Sequence, residues 1–402
     1  MQLHYDSETE AFRVELRAWL AENLPQPAAM REEPSLSSGH IPDWARAWQQ
    51  RLFDAGWLVP GWPPELGGRN ATPIQQLVYF EELAEIPVMR SYNIQGLTII
   101  APSIQDYGSP LQRERYLVQS LRAELSWCLG MSEPGAGSDL ASLSTRAELR
   151  GDHFVLNGQK VWTSGAAHAD LCFCFVRTDP EAPKHRGISV LIVDMQSPGI
   201  TVRPLPEITN PDHADFNEVF FDDVVVPGDN LVGKLNQGWA ISAGSLAHER
   251  GMLWTSQAAR IEKKTDELVA LGNRTSARGT RLGDDTAFRD AVAALYVEGQ
   301  ALKFMGYRGF ARAARGEASP EHSVLKLVGS ELEQRLALTA AEALGVEALD
   351  VEWDRHASYD DATGAPPWSI QYLRSFSNTI AGGTSEIQRN IIAQRVLGMP
   401  RR

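Results

Sequence analysis

The stretch Leu129-Gly-Met-Ser-Glu-Pro-Gly-Ala-Gly-Ser-Asp139, followed later by Asn157-Gly-Gln-Lys-Val-Trp-Thr-Ser-Gly165, is the most informative part of this sequence. Its first half combines the hydroxyls of Ser132 and Ser138 with a turn rich in proline and glycine. Such a turn lets backbone N–H groups approach a ligand closely, because glycine has no side chain in the way. We therefore expect the first half to be a ligand-binding turn.

The second half predicts a β-hairpin. Asn157-Gly158 supplies the positive φ that a tight two-residue turn requires, and alternating apolar and polar residues flank it. Such a hairpin would project Trp162 and Ser164 beside the glycine turn. Taken alone, Trp162 is typical of a core residue on a strand, and Ser132 and Ser164 are typical of ordinary turns.

Composition bounds the class of protein. The chain has 402 residues, of which 43% are hydrophobic, and a formal net charge of −13. This length predicts roughly two or three domains, and the acidic balance argues against nucleic acid or an anionic membrane as the main partner. We expect neither a signal peptide nor a membrane span. Because the cysteines are too few for a disulfide framework, we expect core packing for Cys172 and Cys174, and a reducing cytosol.

The order of the hydrophobic patterns predicts the fold class. Helical periodicity dominates residues 1–124, short runs rich in valine, isoleucine and phenylalanine follow in residues 125–234, and helical periodicity returns in residues 235–402. We therefore expect an α protein with a central all-β domain. Among the later helices, single continuous segments are predicted over residues 238–271 and 369–397.

Four segments that span nearly the whole chain carry a family resemblance. They are Trp62-Pro-Pro-Glu-Leu-Gly-Gly68, Ser132-Glu-Pro-Gly-Ala-Gly-Ser-Asp139, Asn157-Gly-Gln-Lys-Val-Trp-Thr-Ser164 and Gly383-Thr-Ser-Glu-Ile-Gln-Arg389. On these segments the chain resembles the acyl-CoA dehydrogenase family, which includes isovaleryl-CoA dehydrogenase and bacterial heterotetramer-forming members. The resemblance implies an N-terminal helical domain, a middle β-barrel or sandwich and a C-terminal four-helix bundle, with FAD between the domains.

The resemblance also implies an activity and its site. Family members oxidise an acyl-CoA thioester to the trans-2-enoyl-CoA: a carboxylate takes the α proton, the β hydrogen leaves as a hydride to the flavin, and electron-transfer flavoprotein usually accepts the electrons. The implied FAD contacts are Leu129, Met131, Ser132, Trp162, Ser164, Thr384 and Glu386. The implied contacts of the acyl-CoA substrate are Ser138 and Arg250.

The family keeps its catalytic glutamate in one of two places. In one type the glutamate immediately precedes Gly-Thr-Ser near the C-terminus, but Gly382 stands there in this chain. In the isovaleryl-CoA type it precedes an arginine on the first helix after the β domain, as Glu249 precedes Arg250 here. Leu246 and Leu253 lie about one helical turn from Glu249, and such neighbours disfavour a charged carboxylate, as a general base for a weak carbon acid requires. The resemblance assigns to the N–H of Gly382 a hydrogen bond to the thioester carbonyl.

The sequence departs from the family in two segments. Arg274-Thr-Ser-Ala-Arg-Gly-Thr-Arg281 replaces the usual Arg-Lys-x-Phe-Gly, whose arginine reaches the FAD pyrophosphate of a neighbouring subunit, and Ala343-Leu-Gly-Val-Glu347 replaces Gly-Gly-Asn-Gly. These departures leave open a homotetramer or a heterotetramer with a related subunit, the latter as in bacterial members that act on bulky acyl-CoAs such as steroid side chains. A non-catalytic or FAD-sharing partner subunit of a heterotetrameric dehydrogenase and a flavin oxidase or monooxygenase of the same fold are the alternatives. A dinucleotide fingerprint is excluded, because Leu140 stands where its third glycine would be.

Overall fold

The computed structural model describes residues 5–209, 214–250, 253–275, 279–315, 321–349 and 366–400. The side chains of residues 245–250, 253, 313 and 322 lie outside this description. Within the described ranges helices come first, strands follow and helices return, which confirms the predicted fold class. None of the helices in these ranges has both the length and the apolar character that crossing a bilayer requires.

In the described part of the chain the helices are α1 (Ser7–Asn23), α2 (Pro27–Glu32), α3 (Asp43–Asp54), α4 (Pro73–Ala84), α5 (Ala101–Tyr107), α6 (Pro110–Gln112), α7 (Val118–Leu121), α8 (Gly238–Arg250), α9 (Leu253–Leu271), α10 (Thr286–Ala313), α11 (Glu321–Leu344), α12 (Trp368–Ile380) and α13 (Ser385–Ile391). The strands are β1 (Trp127–Gly130), β2 (Arg146–Arg150), β3 (His153–Lys160), β4 (Leu171–Arg177), β5 (Ile188–Asp194), β6 (Ile200–Pro204), β7 (Asn217–Pro227) and β8 (Leu231–Val232). Gly96–Ile100, Arg113–Leu117 and Ile392–Val396 are π-helical.

Three apolar clusters hold these elements together. The first joins the N-terminal helices to one face of the sheet, where Trp48 and Trp57 share a core with Phe173 and Phe175. The second lies among the strands and includes Cys172 and Cys174, and the third lies among α9, α10 and α11. The sheet is therefore buried against the N-terminal helices on one side, which fixes the loops at its rim.

The sheet brings distant segments side by side. The described strands form a sheet in the order β6-β7-β3-β2-β4-β5-β8, and β1 pairs in parallel with β4. In that parallel pair, Gly130 lies opposite Cys174. A Cβ atom on Gly130 would lie 3.5 Å from Cγ of Lys160, so the last residues of β1 and β3 are in close contact.

The prediction of a hairpin at Asn157-Gly158 is wrong. β3 runs through both residues, and the two-residue turn lies instead at Gly151-Asp152, where Gly151 has a φ of +65°. Gly158, with a φ of +147°, follows a β-bulge in the pairing of β3 with β7, where Asp222 and Asp223 of β7 lie opposite Asn157 of β3. The side chain of Asn157 donates to Oδ1 of Asp223 at 2.9 Å and accepts from its N–H at 3.0 Å. The Asn-Gly pair thus serves a bulge instead of a turn.

The predicted helix over residues 369–397 is interrupted. α12 ends at Ile380 and α13 begins at Ser385. Between them Gly382 and Gly383 have φ values of +65° and +99°, which an α-helix does not accommodate. Thr384 then caps α13, because its side-chain oxygen accepts the N–H of Ile387 at 3.2 Å. The predicted helix over residues 238–271 corresponds to α8 and α9, with residues 251–252 outside the described residues.

The three cysteines lie beneath the motif. Cys128, Cys172 and Cys174 are buried free thiols, and a Cβ atom on Gly130 would lie only 2.9 Å from Sγ of Cys172. The pKa of Cys174 is raised, because a hydrogen bond with Cys172 and burial both favour the neutral thiol. The prediction of core packing for Cys172 and Cys174 is confirmed.

Candidate active site

The two halves of the glycine-rich motif meet where β1 and β3 end. β1 leads into Met131 and Ser132, and β3 leads into Val161 and Trp162. The N–H of Val161 donates to the carbonyl oxygen of Ser132 at 2.9 Å. The structure therefore brings Ser132 and Trp162, two of the implied cofactor contacts, into adjoining main-chain segments.

A buried ion pair lies at this junction. Nζ of Lys160 is 2.8 Å from Oε1 of Glu133, and their side chains are 0% and 4% exposed. The same ammonium group donates to the carbonyl oxygen of Met131 at 3.0 Å. The pair therefore connects the two halves of the motif directly.

The carboxylate of Glu133 is fully supplied with donors. It accepts the N–H of Ser144 at 2.6 Å, the hydroxyl of Ser144 at 2.9 Å and the N–H of Thr145 at 2.9 Å. Burial by itself raises the pKa of Glu133, but the Lys160 ammonium and these hydrogen bonds outweigh burial and hold the pKa at about 2. The carboxylate of Glu133 is thus ionised throughout the physiological pH range.

Trp162 is held in a conformation that bulky residues rarely adopt. Its φ is +58° and it is 61% exposed, although it follows a strand with a buried end. Its ring makes an edge-to-face contact with Phe216 at a centroid distance of 5.9 Å. A left-handed conformation at a tryptophan is strained, and such strain is concentrated at functional sites. The chain therefore presents the indole of Trp162 to a group outside its own fold.

The turn after Trp162 is fixed from two other parts of the chain. The N–H of Thr163 donates to the carbonyl of Asn217 at 3.0 Å, and the N–H of Gly165 donates to that of Asp215 at 2.8 Å. From the N-terminal region, the side-chain amide of Gln95 donates to the carbonyl of Ser164 at 3.4 Å. Half-buried Ser164 is thereby held beside the exposed ring.

The N-terminal region also contacts this turn through glycine. A Cβ atom on Gly39 would lie 2.1 Å from the carbonyl oxygen of Gly165, so only glycine permits the observed approach. The neighbouring Ser38 donates to Oδ1 of Asp215 through its N–H at 2.7 Å and through its hydroxyl at 2.8 Å. The loop that contains Ser38 and Gly39 therefore braces the Ser164 turn.

The glycine turn of the first half is open on its outer side. Glu133 and Ala136 exchange two backbone hydrogen bonds of 3.0 Å around it. Gly135 and Gly137 would have nothing within 4 Å of an added Cβ atom, so packing within the chain does not demand glycine there. Ser138 is exposed beyond them. This side of the turn is accessible to a ligand.

These residues fit the isoalloxazine ring of a flavin. Leu129 and Met131 are half-buried and pack against the first apolar cluster, so part of each remains accessible. Trp162 offers an exposed aromatic surface, and Ser132 and Ser164 offer hydroxyl groups beside it. Apolar surface for a ring system, with a few polar groups at its edge, is typical of a cofactor site.

The Gly382 segment presents a main-chain donor. The carbonyl of Gly382 accepts from Nε2 of Gln388 at 3.1 Å, and that of Gly383 accepts from Nζ of Lys326 at 2.7 Å. Gly382 is exposed, and among the described residues its N–H has no acceptor. An added Cβ atom on Gly382 would have nothing within 4 Å, so the positive φ and not packing favours glycine at this position.

Thr384 and Glu386 line a cavity of about 510 Å³ between α11, α12 and α13. Phe376 and Ile380 form its apolar side, and Arg389 lies at its polar side. Hydrogen bonds from its own backbone N–H and from the Thr384 hydroxyl lower the pKa of Glu386. A larger cleft of about 600 Å³, lined by Arg115, Asp170 and Asp194 among others, shares no residue with this site.

Helix α12 lies near the loop beside Trp162. The carboxylate of Glu207 accepts the N–H of Asp215 at 2.8 Å and that of Phe216 at 3.3 Å. Burial lowers the pKa of Arg374, on α12, to about 10. The negative charge of Glu207 acts in the opposite direction and raises this pKa, but by less than burial lowers it. The helix that precedes Gly382 therefore lies near the loop whose Phe216 contacts Trp162.

Glu249 and Arg250 are the last two residues of α8. Their side chains lie outside the described residues, so the expected base and substrate contact stay predictions. The preceding part of α8 packs tightly: a Cβ atom on Gly244 would lie 2.4 Å from the hydroxyl oxygen of Tyr107. Helix α8 also contacts Gly96–Ile100 and β5.

Sequence reasoning missed the residues that support the site. Lys160 and Glu133 stand in the quoted motif, but their pairing spans 27 residues and is not apparent from local pattern. A lysine inside a strand between Leu156 and Val161 does indicate a buried partner, since an unpaired buried ammonium is costly. Gln95 and Asp215 carry no such signal.

Three family models match successive parts of the chain. The model "Acyl-CoA dehydrogenase, N-terminal domain" matches residues 6–124, "Acyl-CoA dehydrogenase, middle domain" matches residues 128–224, and "Acyl-CoA dehydrogenase, C-terminal domain" matches residues 236–397. With a strained tryptophan and a glycine turn on a sheet between two helical regions, these matches define the class: the chain belongs to the acyl-CoA dehydrogenase family of oxidoreductases.

Individual relatives agree with this assignment. The chain is 37% identical to acyl-CoA dehydrogenase IpdE1 of Mycolicibacterium smegmatis, over 98% of both chains. It is similar to a structure of the ChsE4-ChsE5 complex from Mycobacterium tuberculosis, with 32% identity, a TM-score of 0.79 and coverage of 100% of both chains. It is also similar to the Tcur3481-Tcur3483 steroid ACAD, with 29% identity, a TM-score of 0.78 and coverage of 100% of both chains.

Proposed function

We propose that this chain catalyses the FAD-dependent α,β-dehydrogenation of an acyl-CoA thioester to the trans-2-enoyl-CoA. The observation that carries the proposal is Trp162, an exposed ring on a strained main chain whose segment adjoins that of Ser132. The residues that would hold FAD are Leu129, Met131, Ser132, Trp162, Ser164, Thr384 and Glu386. When bound, FAD supplies the acceptor for the β hydrogen, which leaves the substrate as a hydride.

The chain's own residues divide the proton chemistry. Glu249 takes the α proton as general base, with apolar Leu246 and Leu253 near it in sequence. The N–H of Gly382 donates to the thioester carbonyl and stabilises the negative charge that develops there when the α proton leaves. Ser138 and Arg250 orient the acyl-CoA. Gly382 suits its part, because the described residues leave its N–H without an acceptor.

Glu249→Gln tests the assignment of the base. The amide cannot take a proton, so turnover should fall by roughly 10²–10⁴-fold, while FAD stays bound and the protein stays yellow. The measurement is substrate-dependent bleaching of the flavin absorbance with a panel of acyl-CoAs. Asp266→Asn, on the next helix, is the control and should turn over normally. Unchanged turnover in Glu249→Gln would refute the assignment.

A second candidate function is that of a subunit in a heterotetramer with a related chain. Its support is that the two segments that depart from the family pair with each other: Arg274 lies 2.9 Å from the carboxylate of Glu347. Because Arg274 has a partner in its own chain, we expect it to contribute less to a neighbour's cofactor site. Purified alone, such a chain would bind FAD poorly until the related subunit is added. One FAD per chain in a homotetramer, measured by absorbance and light scattering, would contradict it.

The proposed partners follow from the same chemistry. The electrons leave to electron-transfer flavoprotein, and the acyl group belongs to the bulky class, since the similar structures include a complex titled a steroid ACAD. We place the protein in a reducing cytosol, in keeping with its free thiols. We propose domain limits at residues 1–124, 125–234 and 235–402.

A further inference from the structure

The stability of the fold does not require that Glu133 and Lys160 form a buried ion pair. Taking two charges out of water is costly, and an apolar pair of similar volume often gives equal or greater stability. Their side chains are nevertheless almost completely buried, at 4% and 0% exposure. Stability alone therefore does not account for the pair.

What distinguishes the pair from an apolar one is the direction of its hydrogen bonds. Lys160 donates to the carbonyl of Met131, and Glu133 accepts the main-chain N–H groups of Ser144 and Thr145. These bonds orient main chain, which apolar contacts do not do. Any displacement of the pair would rotate the Met131 peptide.

The main chain that the pair orients is that of residues proposed to contact FAD. Met131 and Ser132 immediately precede Glu133, and Trp162 follows Lys160 by two residues. The carbonyl of Ser132 accepts the N–H of Val161, so a hydrogen bond joins the two segments directly. The pair thus sets the separation between the Ser132 main chain and the strained Trp162.

We propose that Glu133 and Lys160 are positioning residues that hold Met131 and Ser132 at a fixed separation from Trp162, so that the flavin ring meets preformed contacts. The inference rests on the proposed binding of FAD by this chain. A preformed site binds more tightly than one that must order on binding, because less conformational freedom is lost. Neither side chain touches the reacting atoms.

The test is the double variant E133Q/K160M, which removes both buried charges and keeps similar side-chain volumes. In the full-length protein we expect FAD to bind at least tenfold more weakly, and the visible flavin absorption band to shift. The urea midpoint should fall, because the Met131 carbonyl loses its donor and the glutamine of E133Q offers one acceptor oxygen where the carboxylate offered two. FAD affinity is therefore compared under conditions in which every variant is fully folded. The control E262Q/K303M removes a lysine–glutamate pair between α9 and α10 with a separation of 2.8 Å, and should leave FAD affinity unchanged.

A second variant keeps the inference testable if the double variant does not accumulate. E133D preserves the charges but draws the carboxylate back by one methylene, and we expect at least threefold weaker FAD binding in a folded protein. FAD affinity within twofold of the wild type and an unshifted flavin band, in whichever variant folds, would overturn the inference. A wild-type protein that binds no FAD would instead count against the proposed function, so the two failures are distinguishable.

Discussion

Trp162 shows how a single residue can be held against its own conformational preference. A φ of +58° at a non-glycine residue raises the free energy of the folded state by about 1–3 kcal/mol. The indole is also 61% exposed, so it contributes little apolar burial. The hydrogen bonds of Thr163 and Gly165 to Asn217 and Asp215 maintain this conformation. A residue that is strained and exposed at once contributes little to the stability of its own chain, which agrees with the proposed contact of Trp162 with FAD.

Glu133 should make the unfolding free energy of the protein depend on pH, and unfolding experiments can detect this dependence. Its folded-state pKa of about 2 lies below the ordinary value of 4.5, so its contribution is complete above pH 4.5 and is lost as the pH falls toward 2. The difference corresponds to about 3 kcal/mol, of which about 2 kcal/mol is lost between pH 5 and pH 3. The measurement is the urea-unfolding free energy at these two pH values, with the wild type and Glu133→Gln compared.

In Glu133→Gln the loss between pH 5 and pH 3 should be smaller by about 2 kcal/mol, although the variant is less stable overall because Lys160 is left unpaired. Asp139→Asn is the matched control, since Asp139 also pairs with a lysine, Lys184, but both side chains are exposed. Hydrogen bonds from Ser142 and Lys184 also lower the pKa of Asp139, but water screens an exposed pair, so the pH profile of Asp139→Asn should depart from the wild type far less than that of Glu133→Gln. Identical profiles for all three proteins would show that Glu133 carries no such linkage.

At the residue scale, motifs locate candidate residues but not their supports. Ser132 and Trp162 are identified from the sequence because each stands in a recognisable segment. The Glu133–Lys160 pair is not, because its energetics depend on burial that only the folded sheet produces. The strain at Trp162 is likewise invisible in the sequence, since tryptophan is a common strand residue and strand position predicts a negative φ.

At the scale of the elements, Asn157-Gly158 shows why a local turn signature can fail. The Asn-Gly signature predicts a turn only if the two flanking segments pair with each other, whereas here the segment continues as β3 and pairs with β2 and β7. The local sequence is the same in both cases. The partner strand β7 lies more than fifty residues later, and its residue Asp223 bonds to Asn157. Local pattern therefore gives the positive φ of Gly158 correctly, but not that of Asn157, and it gives the wrong element.

Gly158→Ala should destabilise the folded protein by about 2–3 kcal/mol. Its Cβ atom would lie 2.7 Å from Cα of Thr145, which is main chain and cannot rotate away, and the φ of +147° adds strain. The measurement is the midpoint of urea unfolding. Gly137→Ala is the control, with nothing within 4 Å of the new Cβ atom, and should change stability by less than about 0.5 kcal/mol. Equal stabilities would argue against the bulge.

At the scale of the whole molecule, a polar cluster joins the first helices to the bundle. Glu81, on α4, accepts the hydroxyl of Tyr307 at 2.7 Å and that of Tyr5 at 3.0 Å, and its other oxygen accepts from Arg13 at 3.0 Å. Burial, followed by the hydrogen bond to Glu81, raises the pKa of Tyr307 well above its ordinary value. The cluster therefore fixes α10 against α4 and the chain's N-terminal residues.

Tyr307→Phe should lower the unfolding free energy by about 1–2 kcal/mol, because the carboxylate loses a neighbour that donates to it. Tyr296→Phe, on the same helix but 53% exposed, is the matched control and should be neutral. Thermal unfolding followed by circular dichroism distinguishes the two. If Tyr307→Phe leaves the stability of the protein unchanged, apolar packing alone holds α10 in place.

The order of helical and β regions follows from the sequence, but the contacts between them do not. Hydrophobic periodicity is local, so it identifies the helical, β and helical regions in turn. The bond between Tyr307 and Glu81 spans 226 residues, and that between Ser38 and Asp215 spans 177. No local pattern encodes such pairs. The site depends on them, since Ser38 and Asp215 brace the turn at Ser164.

The exposed indole of Trp162 also makes the protein its own optical reporter. Of eleven tryptophans, Trp48, Trp57 and Trp127 are at most 1% exposed, while Trp162 is 61% exposed. A water-exposed indole emits at longer wavelength and is quenched by iodide, which does not reach buried rings. A molecule that covers Trp162 will therefore lower the iodide-accessible share of the emission, so occupancy of this site can be followed by fluorescence without any turnover.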